Sequence, residues 1–177
     1  GGLYTVDVRD PDSPRTRAFS NTNQPVTALT SNDRYAVLAQ GREIQLFDSR
    51  LPGQLQPLVT LQLDFNIHAI AINEQQLYIA AGKAGVFRYH ITKNQQLLAT
   101  GHYRTTGPAI DIKINNGIAA VATLEQGLTL LDVSNKQALL WLGSHQQTGR
   151  VKHLQLNPEQ NQVMLLNDRN QILLIDI

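Results

Sequence analysis

Carboxylates that recur at a fixed interval are the first residues here that invite a chemical reading. Asp7, Asp48, Asp132 and Asp176 hold the sixth position of GLYTVDV, EIQLFDS, GLTLLDV and QILLIDI, and His90 takes that place in GVFRYHI. The five positions are separated by 41, 42, 42 and 44 residues. Carboxylates in a ring can bind cations, but a calcium site needs roughly six to eight oxygens converging on one point. Groups spaced one repeat apart are too dispersed for that. Each of these aspartates ends an apolar run, typically before turn residues such as VRDPDSP, where a carboxylate accepts backbone N–H groups and holds the turn. The expectation for all four is a structural role, with no metal site.

Histidine can act as general base or metal ligand, and the chain has five, at positions 68, 90, 102, 145 and 153. None stands two or four residues from another, so no local ligand pair exists. His153 shares a repeat column with Asp111, and equivalent positions on neighbouring units can come within reach of a charge-assisted hydrogen bond. The expectation is a structural link between units, because no Gly-x-Ser-x-Gly nucleophile accompanies the pair. The sequence also lacks a Walker loop, a glycine-rich dinucleotide fingerprint and a His-Glu-x-x-His pair, so nucleotide and zinc-protease chemistry have no support. With no cysteine there is no disulfide, thiolate site or cysteine nucleophile. No cofactor is expected.

A repeat must position these residues. VTALTSND from Val26, IHAIAINE from Ile67, AIDIKINN from Ala109 and VKHLQLNP from Val151 share one register, their starts 41, 42 and 42 residues apart. A second element, YAVLAQG, LYIAAGK, IAAVATL and QVMLLND, follows each; the aspartate-ended runs come third, and RAFSN, LVTLQL, LLATGHY and LLWLGSH come fourth. Short runs rich in Val, Ile, Leu and Ala, punctuated by Asn, Gly, Asp and Pro, read as strands. Asn116-Gly117 tolerates the positive φ of a tight hairpin, so the strands around Ile112 and Ala120 should pair antiparallel. Sheets of four strands, apolar on both faces and repeating at this interval, are best accommodated as blades around an axis. The predicted fold is an all-β propeller with units at 1–25 (partial), 26–66, 67–108, 109–150 and 151–177 (partial). Seventeen strands exceed the sixteen of a closed four-bladed ring, so the expectation is an arc of a larger ring with self-associating ends, flanked by further repeats or domains. Trp141 and Phe87, inside strands, are expected in the core.

GLYTVDVRDPDSPR and GLTLLDV, with their Gly-Leu, apolar strand, Asp and trailing Asp-Pro, resemble the bacterial and archaeal LVIVD repeat. The resemblance extends over essentially the whole chain. Gly85 keeps the glycine beside His90, while Glu43 and Gln171 replace it. What the resemblance implies is a propeller in an exported or surface-associated protein, hence an extracytoplasmic location, with no common reaction attached.

Composition narrows the partners. Hydrophobic residues make up 42% of the 177 and charged ones only 16%, while 18 Gln and 13 Asn supply much of the polarity. A net charge of +1 gives no basic stripe for nucleic acid, and the apolar runs are too short to span a bilayer. Binding groups concentrate where a rigid scaffold presents variable loops. In a propeller the second-to-third links and the links between blades emerge on one face. Arg42, Lys83, Glu125 and Arg169 stand on the former, and Tyr103, Arg104, His145 and Arg150 on the latter. The reading is a non-catalytic recognition module that binds a protein or a glycan through this face. The alternative is a propeller-type lactonase or hydrolase, with Asp64, Asn66, His68, Asp111 and His153 gathered around a metal near the axis.

Overall fold

The computed structural model describes residues 2–51, 53–124, 127–146, 150–157 and 159–177. Blade 1 is a hairpin of β1 (Gly2–Asp7) and β2 (Arg15–Asn21). Blade 2 contains β3 (Ala28–Ser31), β4 (Tyr35–Gln40), β5 (Glu43–Asp48) and β6 (Val59–Gln62). Blade 3 contains β7 (Ala69–Asn73), β8 (Gln76–Ala80), β9 (Val86–Ile91) and β10 (Leu97–Tyr103). Blade 4 contains β11 (Ala109–Asn115), β12 (Ile118–Thr123), β13 (Gly127–Asp132) and β14 (Leu140–His145). Blade 5 shows three strands among the described residues, β15 (Val151–Asn157), β16 (Gln162–Asn167) and β17 (Ile172–Asp176). Within each blade neighbouring strands run antiparallel in chain order, so the fold is an all-β propeller built of meandering blades. No helix among the described residues is long and apolar enough to cross a membrane.

Tight turns make this meander possible. Asn116 and Gly117 have φ of 47° and 77°, the left-handed pair of a two-residue hairpin turn. β11 and β12 pair across it, with Ile112 opposite Val121 and Lys113 opposite Ala120.

Successive side chains of a strand point to opposite faces, and each complete blade uses both. Val37, Ala39, Ile44 and Leu46 of blade 2 pack against Ile70, Leu77 and Ile79 of blade 3. Tyr78, Ala80 and Val86 of blade 3 pack against Ile112, Ala119 and Val121 of blade 4. Ala120, Ala122 and Leu128 of blade 4 pack against Leu154, Val163 and Leu165 of blade 5. Each buried Val, Leu or Ile adds roughly 1.5–3 kcal/mol, so these three cores hold the blades in series. Leu38 and Phe47, on the other face of blade 2, are buried outside those cores. The β1–β2 hairpin is the sheet left to cover them, since blade 5 leaves its own far face exposed.

Two expectations about individual residues fail. Trp141 is 58% exposed, not core, because it sits on β14, the outermost strand of its blade. Asp111 does not bond His153. Its Oδ2 accepts the Leu154 N–H at 3.1 Å and its Oδ1 that of Ile112 at 2.8 Å. The blades are linked at this column, but through backbone. The register shifts between Ala109 and Asp111 and between Val151 and His153 show the cause, because an extra residue in a strand re-aims the side chains beside it.

Candidate functional site

The turns between second and third strands and the links between blades meet on one side of the molecule. Ile67 N–H donates to the Gly41 carbonyl at 2.8 Å and Leu63 N–H to that of Arg42 at 2.9 Å. Gly82 and Ala109 exchange two bonds of 2.9 Å, Leu124 N–H reaches Pro108 at 2.9 Å, and Asp168 N–H reaches Arg150 at 2.8 Å. Paired backbone of this kind makes a stiff rim on which side chains can be presented. Gly85 shows how tightly the rim is built. Its φ is +87°, and a Cβ there would collide with the Tyr103 carbonyl and crowd Arg104 and Thr105.

On this rim blade 2 forms a polar cleft of about 280 Å³. Gln24, Gln40, Arg42, Glu43, Gln62 and Asn66 line it. Arg42 Nε donates to Asn66 Oδ1 at 3.2 Å, which ties the turn to the interblade link, and Gln24 N–H donates to the buried Gln40 Oε1 at 3.3 Å. Glu43 accepts from Gln45 Nε2 at 2.8 Å. The cleft thus offers primary amides, one guanidinium and one carboxylate, held by each other and by the backbone.

Beside it stands a feature that strand patterns do not disclose. Phe65, next to Asn66, stacks on Phe87 with ring centroids 4.3 Å apart and planes 14° apart. His102 stacks on the other side of Phe87 at 4.2 Å and 16°. Its Nε2 lies 2.7 Å from the Ala84 carbonyl, so that nitrogen carries the proton. Phe87 is therefore sandwiched and half-buried, and His102 forms an exposed end of the stack. The spacing of Phe65, Phe87 and His102 in three different elements left no sequence signal for this contact.

Of the residues expected to form a binding face, Arg42 lines the cleft. Lys83 and Arg104 are exposed on the rim of blade 3, while Tyr103 is half-buried against the core between blades 3 and 4. His145 is half-buried at the end of β14, and Arg150 and Arg169 are exposed beyond it. Glu125 lies outside the described residues. These side chains are distributed over several blades, not gathered around one ligand.

The hydrolase candidates are likewise spread. Asn66 belongs to the blade 2 cleft, and Asp64 and His68 are exposed on the link beside it. Asp111 and His153 line a different hollow of about 360 Å³, on blade 5. Among the described residues no three His, Cys, Asp or Glu side chains are grouped as metal ligands.

The recurring aspartates sit at the opposite end of the blades. Asp7, Asp48 and Asp132 each accept the N–H two residues on, from Arg9 at 3.1 Å, Arg50 at 3.0 Å and Ser134 at 2.8 Å. Arg9 and Arg17 also grip Asp7, holding its carboxyl far below the usual range. Arg50, at 2.6 Å, draws Asp48 down to about 2. The Ser134 hydroxyl and amide lower Asp132. Asp176 differs, accepting Gln162 Nε2 across the sheet at 2.8 Å. At this end Asn32, Asp33, Arg34, Glu74, Lys136 and His90, which holds the aspartate position of its repeat, border a hollow of about 590 Å³.

No protein-family model matches the chain, and no curated protein does. Solved structures do. The chain is similar to the computationally designed Ika4 protein, with TM-score 0.72 and 15% identity over 89% of this chain and 94% of that one. It is similar to the designed Ika8 protein, with TM-score 0.67 and 17% identity over 86% of this chain and 46% of that one. A functionally unknown protein from Desulfotomaculum acetoxidans gives TM-score 0.82 and 15% identity over 99% of this chain and 62% of that one. The chain therefore spans less than two thirds of the length of the last two. Identities this low speak to the fold alone.

Proposed function

We propose that this propeller is a non-catalytic recognition module, exported or surface-associated, that binds a protein or glycan ligand through its loop face. The observation that carries the reading is the blade 2 cleft, where Gln24, Gln40, Arg42, Glu43, Gln62 and Asn66 surround about 280 Å³. Amides, a guanidinium and a carboxylate supply paired donors and acceptors on a stiff frame. That is the chemistry that recognises vicinal hydroxyl groups, and the Phe65–Phe87–His102 stack beside it adds flat apolar surface of the kind a sugar ring covers. The likeness of the repeats to the LVIVD family supports the extracytoplasmic setting.

A glycan array followed by calorimetry tests this reading. A saccharide should bind wild type, and Arg42→Ala should weaken it at least tenfold while Lys83→Ala, on the neighbouring blade, leaves it unchanged. Binding that ignores Arg42→Ala and Asn66→Ala together would remove the cleft from the proposal.

A further inference from the structure

Blade 3 departs from the repeat at two positions, and both line the hollow of about 590 Å³ at the end opposite the cleft. His90 stands where blades 2 and 4 carry Asp48 and Asp132, which hold their own turns by accepting the N–H two residues on. In blade 3 that N–H, of Thr92, goes to the Gln96 carbonyl at 2.9 Å instead. The His90 Nδ1 accepts from Gln76 Nε2 at 3.0 Å, so the other ring nitrogen carries the proton and is a donor. Glu74 has a φ of 50°, a left-handed conformation that glycine and asparagine take readily and glutamate does not. Blade 4 places Asn116 at the same turn position, with a φ of 47°. Backbone held in a disfavoured conformation clusters at functional sites.

Side chains from three neighbouring blades brace the hollow. Asn32 accepts the Arg34 and Tyr35 N–H groups at 3.0 and 2.8 Å and donates from Nδ2 to the Glu74 carbonyl at 2.8 Å, which locks the turns of blades 2 and 3 together. The buried Arg88 holds the Lys136 carbonyl at 2.6 Å and so fixes the backbone of the blade 4 turn. The Arg34 guanidinium lies over the Tyr35 ring, 5.2 Å from its centroid. Around this frame Asp33, Arg34, Glu74 and Lys136 are exposed. Among the described residues none of these four is in an ion pair. Asp48, whose carboxyl feels the Arg34 charge, is already taken by Arg50.

We infer that this hollow binds a small zwitterion, an unblocked peptide of two or three residues, whose carboxylate is received by Arg34 and Lys136 and whose ammonium is received by Asp33 and Glu74. Two cations and two anions that leave one another unpaired suit a ligand that carries both charges, held apart. A compact anion would also meet the two carboxylates, and a simple cation the two basic groups. The volume falls within the roughly 300–1,000 Å³ of small-molecule sites, too large for a bare ion and too small for a folded partner. The amides of Asn32, Gln75 and Gln76 and the His90 imidazole supply donors and acceptors for the peptide groups between the termini. The hollow shares no residue with the blade 2 cleft, so the two sites stand or fall separately.

Titration with trialanine, followed by calorimetry and by amide NMR shifts, is the test. Wild type should bind trialanine and shift the signals of Arg34, Gln75 and Gln76, while the same peptide acetylated and amidated at its ends should bind at least tenfold more weakly. Lys136→Glu should weaken trialanine at least tenfold, and Lys83→Glu, a charge reversal at the other end of the blades, should leave it unchanged. Glu74→Asn separates a ligand-binding role from a structural one, because asparagine suits the left-handed turn. It should raise Tm and still weaken binding. All these side chains are exposed, and a cooperative melt verifies that each variant folds. Failure of trialanine to bind overturns the inference. So does capped peptide or acetate binding as tightly as trialanine, or binding that neither Lys136→Glu nor Glu74→Asn changes.

Discussion

Replacing Arg88 by leucine should loosen the joint between blades 3 and 4. Arg88 is only 2% exposed, and it interrupts a column that holds Leu46, Leu130 and Leu174 in the other blades. Among the described residues its guanidinium meets no carboxylate. Nη1 donates to the Asn135 carbonyl and Nη2 to that of Lys136, both at 2.6 Å, while Nη2 and Nε reach the Thr100 carbonyl and hydroxyl at 3.2 Å. The cation therefore pins the turn that follows β13 of the next blade. A hydrogen bond to a charged group contributes about 1.5–3 kcal/mol net, so losing the two short bonds costs about 3–6 kcal/mol. Two effects offset this. Water can reach the exposed Asn135 and Lys136 turn, and exchanging a buried ionic group for an apolar one returns about 1–4 kcal/mol. The balance is a loss of about 2 kcal/mol, roughly 4–8 °C in Tm for a chain of this size. Urea titration at one fixed protein concentration measures it. Amide exchange at Gln137 and Ala138, whose N–H groups bond Asn135 Oδ1 at 2.8 and 3.3 Å, should quicken in the variant. An Arg88→Leu protein as stable as wild type would mean that the guanidinium only fills space, and would refute the pin.

Gly85→Ala should destabilise by more than about 1 kcal/mol, because its φ of +87° and the Tyr103 carbonyl both oppose a side chain, whereas Gly53→Ala, with open space around it, should stay within about 0.5 kcal/mol; equal melting temperatures would contradict the close approach. Asp48 is drawn to about 2 by Arg50, so its contribution to stability is intact above the unfolded carboxyl value near 3.8 and is lost as pH falls from there through 2. Asp48→Asn should therefore flatten the acid limb of a plot of Tm against pH, and a limb of unchanged slope would show that the Arg50 contact does not persist in solution.

The blades were legible because apolar side chains repeat at a spacing that only a stacked sheet can bury, and because Asn116-Gly117 marks its own turn. Individual contacts were less so. Nothing in the strand pattern marks Arg88, and only the approach of the Asn135–Lys136 turn from the next blade explains its burial. Asp111 and His153 share a column, yet the irregular residues before them turn the carboxylate toward the backbone of Leu154. Trp141 looked like core from its neighbours Leu140 and Leu142, but all three lie exposed on an outermost strand, a placement that periodicity within one strand does not encode. The cleft was half visible. Arg42 stood out as a loop charge and Asn66 only in the hydrolase alternative, while the glutamines that accompany them are common residues whose convergence depends on the path of the links.

The second strand of blade 4 carries alanine at 119, 120 and 122, each fully buried. Ala119 receives blade 3 in the core that holds Tyr78, and Ala120 turns toward Leu154 and Leu165 of blade 5. At the corresponding positions blade 3 has Leu77 and Tyr78. A large residue on one blade thus faces a small one on the next, so the modules have an order as well as a number. Duplicating blade 3 in tandem would set a tyrosine against a leucine where an alanine now stands, and overpacking of that kind costs about 1–3 kcal/mol. Growth of such a chain by copying a unit in place would need a second change to make room, and shuffled units would be recognised as foreign by their neighbours.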